Sequence, residues 1–325
     1  MLSFITVVYG RELGLLELQA RSFSQFVPAS LVQEIVVILN DLNLDKLRKK
    51  VELIRSAYGP HADKLRILDP DELLKHKRKI GLSARVKLIS PWLLGRRPRA
   101  GGWRGHKGWL TQQALKLSAA RFVCANYSVI LDAKNIWLAP MEITDFVAND
   151  GRAFANYFMG YAGKNQQAWF PPSLAAVGMP EDTPIDRTTS FLTPFVVPTE
   201  ILLGCIYEIE KVRGSVAAAF LLYKPNPTEF FTINAYILKS YGHFDAIFSE
   251  GLEPGIVLSA KTSEESFNQI LDAIDARESK HLALHSGAWR RFDQAQNDRL
   301  LKALNRHGTP LSRKRFGEMW AGTFL

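Results

Sequence analysis

The sequence predicts an α/β protein with a mostly parallel sheet and helices on both of its faces. Strand and helix patterns alternate from the first residues, the order that yields parallel pairing through crossover helices. The strand candidates are apolar along their whole length, as strands covered on both faces are. The chain has 325 residues and 47% hydrophobic content, enough to bury a sizeable core.

Phe4–Tyr9 (FITVVY) reads as the first buried strand. Residues 12–23 (ELGLLELQARSF) place apolar side chains at helical spacing. Glu34–Asn40 (EIVVILN) is a second strand, ending at Asn40 and Asp41. Residues 44–58 form an amphipathic, basic helix, and Leu65–Leu68 a short third strand. Residues 110–122 (LTQQALKLSAARF) form a helix with Leu110, Ala114, Leu115, Leu117 and Ala120 on its apolar side. It leads into a strand over Val129–Asp132. Residues 151–198 are rich in aromatics, prolines and turn residues and read as irregular. Helices follow over 201–213, 230–239 and 264–276, then a strand over Leu282–His285. The C-terminal extension is polar and helical from residue 290 to 305.

Several classes are disfavoured. No glycine-rich phosphate loop follows the first strand, against a dinucleotide enzyme or a P-loop NTPase. Cys124 and Cys205 are far apart and lack zinc or redox spacing, so both read as core residues of a reducing compartment. The start, MLSFITVVYG, lacks the features of a signal peptide, and no apolar run is long enough to span a bilayer. The expectation is a cytoplasmic protein.

The charge is uneven. The chain carries +9, yet eleven lysines and arginines and no acid fall between Lys75 and Lys107, which leaves the remainder at −2. This basic insertion, about 75–107, embeds Trp92 among leucines in ISPWLLGRRPR. Such a pattern suits peripheral attachment to an anionic membrane surface. A nucleic-acid partner and a solvated loop are the competing readings, and no known nucleic-acid module is present.

Ligands of open α/β sheets bind outside the carboxyl ends of the strands. In YSVILDAKNIWLAP, Asp132 lies at such an end, with Lys134 two residues on. The pair is either a plain ion pair or a diphosphate site whose ammonium supplies the charge a metal otherwise brings. His285, in LALHSGAW, is a structural histidine, a metal ligand or a donor to phosphate. Glu229, in PTEFFTINAY, is a helix N-terminal dipole partner, a general base or an acceptor for a substrate hydroxyl. Gln112 and Lys116 share a helix face. They and Gln113 form either an exposed face or a set in which Lys116 reaches phosphate and a glutamine positions a sugar.

Taken in order, TVVY with ELGLLELQARSF, GWLTQQALKLSAA, LDAKN, TEFF around Glu229 and LALHSGAW resemble the GT-A glycosyltransferase-like proteins of bacterial surface-polysaccharide loci. The likeness runs from about residue 2 to 290. It implies a GT-A-like (Rossmann-like) catalytic domain over residues 1–290 and a helical tail over 291–325. Residues 1–140 would form the nucleotide-binding half and 141–290 the acceptor half.

The implied activity moves a hexosyl or related sugar from a nucleotide-sugar donor to a glycan or lipid-linked acceptor. The resemblance implies nucleotide contacts at Thr6, Val8, Tyr9, Asn40 and Asp41, and Gln112, Gln113, Lys116 and Asn135 are expected to join them on the donor side. It implies catalytic roles for Asp132, Glu229 and His285, and Lys134, where the sequence departs from the family, is expected to stabilise the departing diphosphate. Asp132 matches the first acid of an Asp-x-Asp motif whose second acid is replaced by Lys134. Asp132 and His285 are then the ligands of any Mn²⁺ or Mg²⁺, and hard cations prefer more oxygens than this pair offers. A non-catalytic GT-A fold that binds glycan or nucleotide, and a nucleic-acid-binding protein, are the alternatives.

Overall fold

A computed structural model of the protein describes residues 1–74, 82–93, 101–160, 164–251, 255–276, 279–285, 287–288, 291–307, 309 and 311–321. The elements run β1 (Leu2–Val8), α1 (Leu13–Phe26), β2 (Val32–Leu39), α2 (Leu44–Ile54), β3 (Leu65–Leu68), α3 (Pro70–Leu73) and α4 (Leu82–Leu93). Next come α5 (Gly108–Ser118), β4 (Tyr127–Asp132), β5 (Asn135–Trp137), β6 (Ala153–Ala155), β7 (Tyr157–Met159), α6 (Lys164–Ala176), β8 (Arg187–Thr189) and β9 (Phe195–Pro198). The chain continues through α7 (Thr199–Arg213), α8 (Val216–Leu221), α9 (Glu229–Tyr241), β10 (Phe248–Glu250), β11 (Ile256–Leu258), α10 (Glu264–Asp275), β12 (His281–Leu284), α11 (Gln294–Arg306) and α12 (Arg313–Ala321).

The central sheet has the order β3-β2-β1-β4-β9. Its first four strands are parallel, and β9 closes the edge antiparallel to β4. The chain runs outward from β1 in one direction through β2 and β3, then restarts on the other side with β4. The β1–β4 boundary is therefore a topological switch point, where crossovers diverge and leave a crevice. Register makes this edge level: Val8 lies opposite Leu39, and Val7 opposite Asp132. Tyr9, Asn40 and Asp132 thus leave the sheet together.

All of β1 is buried, as a strand covered on both faces must be. Phe4 packs edge-to-face on Phe23 and Phe146, and Trp137 on Phe146, joining the sheet to α1 and β5. Local signals set the helix ends. Asn43 caps α2, Ser263 caps α10, and Asp293 with Gln296 forms a capping box on α11. The helices α7 and α9 stop at Gly214 and Gly242, both left-handed at φ 78°.

Two expectations are corrected. The helix expected to reach Tyr58 ends at Ile54 and passes into 3₁₀ turns kinked at Gly59. The stretch expected to be irregular contains α6 and the closing strand β9. Prolines 171 and 172 lie inside α6 and conceal it in the sequence, since proline removes a helical donor. The helix persists because Phe170 packs edge-to-face on Phe231 of α9 and Ser173 donates to the Trp169 carbonyl at 2.8 Å.

Residues 75–81 and 94–100 of the basic insertion and the Trp92 side chain lie outside the described residues, and α4 lies between these two stretches. The C-terminal end of the insertion is anchored. Trp103 is buried and donates through Nε1 to Asp71 at 3.0 Å, and Arg104 pairs with Asp71 at 2.8 Å. The tail helix α12 docks on α1 through Arg315 and Glu17, 2.8 Å apart. Among the described residues, no helix is long and apolar enough to cross a membrane.

Candidate active site

The apolar strand β4 delivers Asp132 to the switch-point edge, and four donors converge on its carboxylate. Gln112 Nε2 (3.0 Å) and Lys116 Nζ (2.6 Å) donate to Oδ1. Lys134 Nζ (2.9 Å) and Thr193 Oγ1 (3.3 Å) reach Oδ2. Lys116 also donates to Glu229 Oε1 at 3.1 Å, and both of these side chains are almost fully buried. Helix α5 therefore ties β4 to the start of α9. Gln113 completes the tie by accepting the Glu229 backbone N–H at 3.1 Å.

Beneath this layer, Gln19 of α1 donates to the Asp132 carbonyl at 2.8 Å and accepts from Thr6 Oγ1 at 3.0 Å. Asn135 accepts the Asp132 N–H at 2.7 Å and donates to the Thr193 carbonyl at 3.0 Å. These bonds hold the turn after β4 and fix where Asp132 and Lys134 project.

Charge coupling dominates the electrostatics. Burial works against the Asp132 charge, but Lys116 and Lys134 outweigh it and hold the carboxyl well below its usual range. Burial works likewise against Lys116, and the two facing carboxylates outweigh it and hold the ammonium above its usual range. For Glu229, burial prevails and raises its pKa, assisted by the charge of Asp132 and opposed by Lys116. Glu12, in the β1–α1 turn, is pushed up to about 7, first by burial and then by Asp132. Burial, then the charge of Lys134, lowers His285.

These groups line a cavity of about 330 Å³ with Gln112, Gln113 and the Trp109–Trp169 pair. The two indole rings lie 5.7 Å apart with a 40° tilt, and Trp109 is 47% exposed. A second cavity of about 190 Å³ shares Asp132, Lys134 and His285 with the first and adds Asn156, Thr193 and His281. A third, of about 400 Å³, lies over the ends of β1 and β2. Tyr9, Asp41, Asn43, Lys46 and Gly101 are among its lining residues. Asp41 accepts the backbone N–H groups of Gly10 (3.1 Å) and Asn43 (3.2 Å). Gly101, at φ +60°, lets the backbone approach the Tyr9 ring.

The structure thus brings Asp132, Lys134, Glu229, His285, Gln112, Gln113 and Lys116 together, and places Tyr9 and Asp41 beside them. The other four expected contacts do not line these three cavities. Thr6 and Val8 are interior positions of β1, flanked by β2 and β4, and are buried. Asn40 is buried, accepting the Trp103 N–H at 3.1 Å and donating to the Gly108 carbonyl at 2.9 Å. Asn135 is buried in the brace described above. These four support the site and do not line it. Sequence reasoning missed Glu12, Trp109, Trp169 and Thr193. Glu12 was signalled by its place just past the end of β1. Trp169 and Thr193 sit in the stretch read as irregular.

The expected metal pair, Asp132 with His285, does not fit a divalent cation. Each Asp132 oxygen accepts from an ammonium, and His285 faces the charge of Lys134. A metal would meet two fixed cations and few free oxygens. Among the described residues, no group of three His, Cys, Asp or Glu side chains is placed to hold a metal.

No curated protein matches this chain in sequence. Among solved structures, the chain is similar to the galactosyltransferase LgtC in complex with donor and acceptor sugar analogs. That match has 8% identity and a TM-score of 0.47, covering 97% of this chain and 99% of that one. It is also similar to core-mannan synthase A (CmsA/Ktr4) from Aspergillus fumigatus in its Mn/GDP form. Here identity is 8% and the TM-score 0.44, over 77% of this chain and 72% of that one. At such values neither structure establishes the chemistry of this chain. The family model described as "Family of unknown function (DUF6492)" matches residues 5–282, and the chain belongs to that family.

Proposed function

We propose that the protein is a glycosyltransferase that moves a sugar from a nucleotide-sugar donor to a glycan or lipid-linked acceptor, in the synthesis of a bacterial surface polysaccharide. The observation that carries this reading is the Lys116–Asp132–Lys134 chain, built at the switch point between two cavities of different character. The cavity of Tyr9, Asp41 and Lys46 suits a nucleoside, with an aromatic ring and polar groups at its wall. The cavity with Trp109 and Trp169 suits sugars, whose ring faces are apolar and whose hydroxyls need polar partners. The diphosphate would span the turn between them.

Lys134 is the cation that meets it. Its side chain is 23% exposed, whereas that of Lys116 is 3% exposed and held by two carboxylates. Asp132 orients Lys134, and Lys116 keeps Asp132 ionised. A fixed ammonium aimed at the departing diphosphate stabilises the charge that develops there, with no reorganisation during the reaction. On this reading Lys116 acts through Asp132, and the phosphate contact falls to Lys134.

The test is Lys134→Ala. A charge-assisted bond contributes about 1.5–3 kcal/mol. The variant should therefore bind its nucleoside diphosphate roughly 10- to 100-fold more weakly by calorimetry. Unchanged affinity would remove Lys134 from the diphosphate site.

A further inference from the structure

We infer that Glu12 is the catalytic proton acceptor that takes the proton from the acceptor hydroxyl; the inference rests on the glycosyl-transfer reading. Three carboxylates line the Trp109–Trp169 cavity: Glu12, Asp132 and Glu229. Two of them are committed. Asp132 has an ammonium on each oxygen, and a carboxylate held so firmly ionised is a poor base. Glu229 is buried and bonded to Lys116.

Glu12 differs in both respects. It occupies the N-cap position of α1, and its side chain makes no capping bond. Among the described residues no side chain donates to it. Its carboxylate lies on the cavity wall, where the Tyr9 backbone is its hydrogen-bonding neighbour and no ammonium among the described residues is bonded to it, so it can accept from a substrate hydroxyl.

The charges around it come from every neighbouring element. They are Asp132 and Lys134 at the end of β4, Lys116 on α5, Glu229 at the start of α9, and His285 after β12. Burial first, and then the charge of Asp132, push Glu12 up to about 7 against the Tyr9 backbone, Lys134 and Lys116, and a general base works best near the operating pH.

The step balances without a further reactant. The hydroxyl proton passes to Glu12, and the hydroxyl oxygen bonds to the anomeric carbon. The bond from that carbon to the diphosphate oxygen breaks, and its electron pair leaves with the nucleotide beside Lys134. The proton on Glu12 then returns to solvent.

The test uses the full chain and a panel of UDP-, GDP-, CMP- and dTDP-sugars, with nucleotide release followed as water or added sugars accept. Glu12→Gln should bind nucleotide within about threefold of wild type while turnover falls about 100-fold or more. The rising limb of rate against pH near neutrality should vanish in Glu12→Gln and persist in Glu12→Asp. Retained turnover in Glu12→Gln, or a limb lost in His285→Gln and kept in Glu12→Gln, would overturn the inference.

If wild type binds none of the panel, the glycosyl-transfer reading is what fails. Glu12 is then judged by its own carboxyl ¹³C resonance, assigned by its loss in Glu12→Gln. Titration near 7 keeps the proton-acceptor role for another substrate, and titration near the ordinary glutamate value ends it.

Discussion

Replacing Lys116 with methionine should expose the electrostatic cost that its two partners now hide. The ammonium lies 2.6 Å from Asp132 and 3.1 Å from Glu229, with its side chain 3% exposed. Methionine fills much the same volume, so packing changes little, but the two carboxylates are left facing each other without their shared counter-charge. Breaking a buried ion pair by removing one partner costs about 3–5 kcal/mol. For 325 residues, unfolding entropy of about 2.1 cal/mol/K per residue converts this to a Tm loss of roughly 4–7 °C.

The loss should depend on pH, with a definite sign. Glu229 is already raised, and without Lys116 it rises further. Between its unfolded and folded pKa values the native state holds a proton that the unfolded state lacks, so stability falls as pH rises. Thermal and urea unfolding at pH 5.5 and 8.5 should show the larger deficit at 8.5. Lys116→Met/Glu229→Gln should recover much of it, because one of the two charges is gone. A Lys116→Met variant within about 1 kcal/mol of wild type at pH 8.5, with no recovery in the double variant, would refute the buried triad.

Other consequences follow from named contacts. Wild-type stability should decline as pH rises from about 4.5 to about 7, because Glu12 keeps its proton in the folded state over that window, and Glu12→Gln should flatten that part of a Tm–pH curve. Asn40→Ala strands the Trp103 N–H and the Gly108 carbonyl, at a cost of roughly 1–3 kcal/mol. It should also speed hydrogen exchange across residues 101–108, which mass spectrometry would detect. Gly101→Ala forces a side chain into a left-handed position and against the Tyr9 ring, 3.1 Å away. It should cost about 1 kcal/mol and weaken nucleotide binding, read by denaturation and calorimetry.

The parallel half of the fold was legible because its strands are unbroken apolar runs separated by amphipathic helices. A run such as EIVVILN fits little else. The switch-point rule then pointed to Asp132 and Tyr9 before any geometry was known. What lay hidden was set by tertiary contact. Two prolines concealed α6, which survives by packing on α9. The edge strand β9 is recognisable only against β4.

At the site, Gln112 and Lys116 read equally well as an exposed face, and only the arrival of Asp132 and Glu229 from distant segments makes them an interior pair. Lys134 was legible as an oddity in an acid motif, and its partner on Asp132 Oδ2 matches that spacing. Thr6, Val8, Asn40 and Asn135 lie near the right edge in sequence but are buried: β1 is covered on both faces, Asn40 is taken up by Trp103 and Gly108, and Asn135 by Asp132 and Thr193.

In the proposed transfer, a lysine held by Asp132 does at the diphosphate what a metal otherwise does. The most direct measurement is the Tm of the wild-type protein with UDP, GDP, CMP and dTDP, each in EDTA and each in Mn²⁺. A nucleotide at about 100 times its Kd adds roughly 2.7 kcal/mol, or about 4 °C here. One nucleotide should give this shift equally in EDTA and in Mn²⁺. A shift that needs Mn²⁺ would contradict this and return Asp132 to the role of a metal ligand.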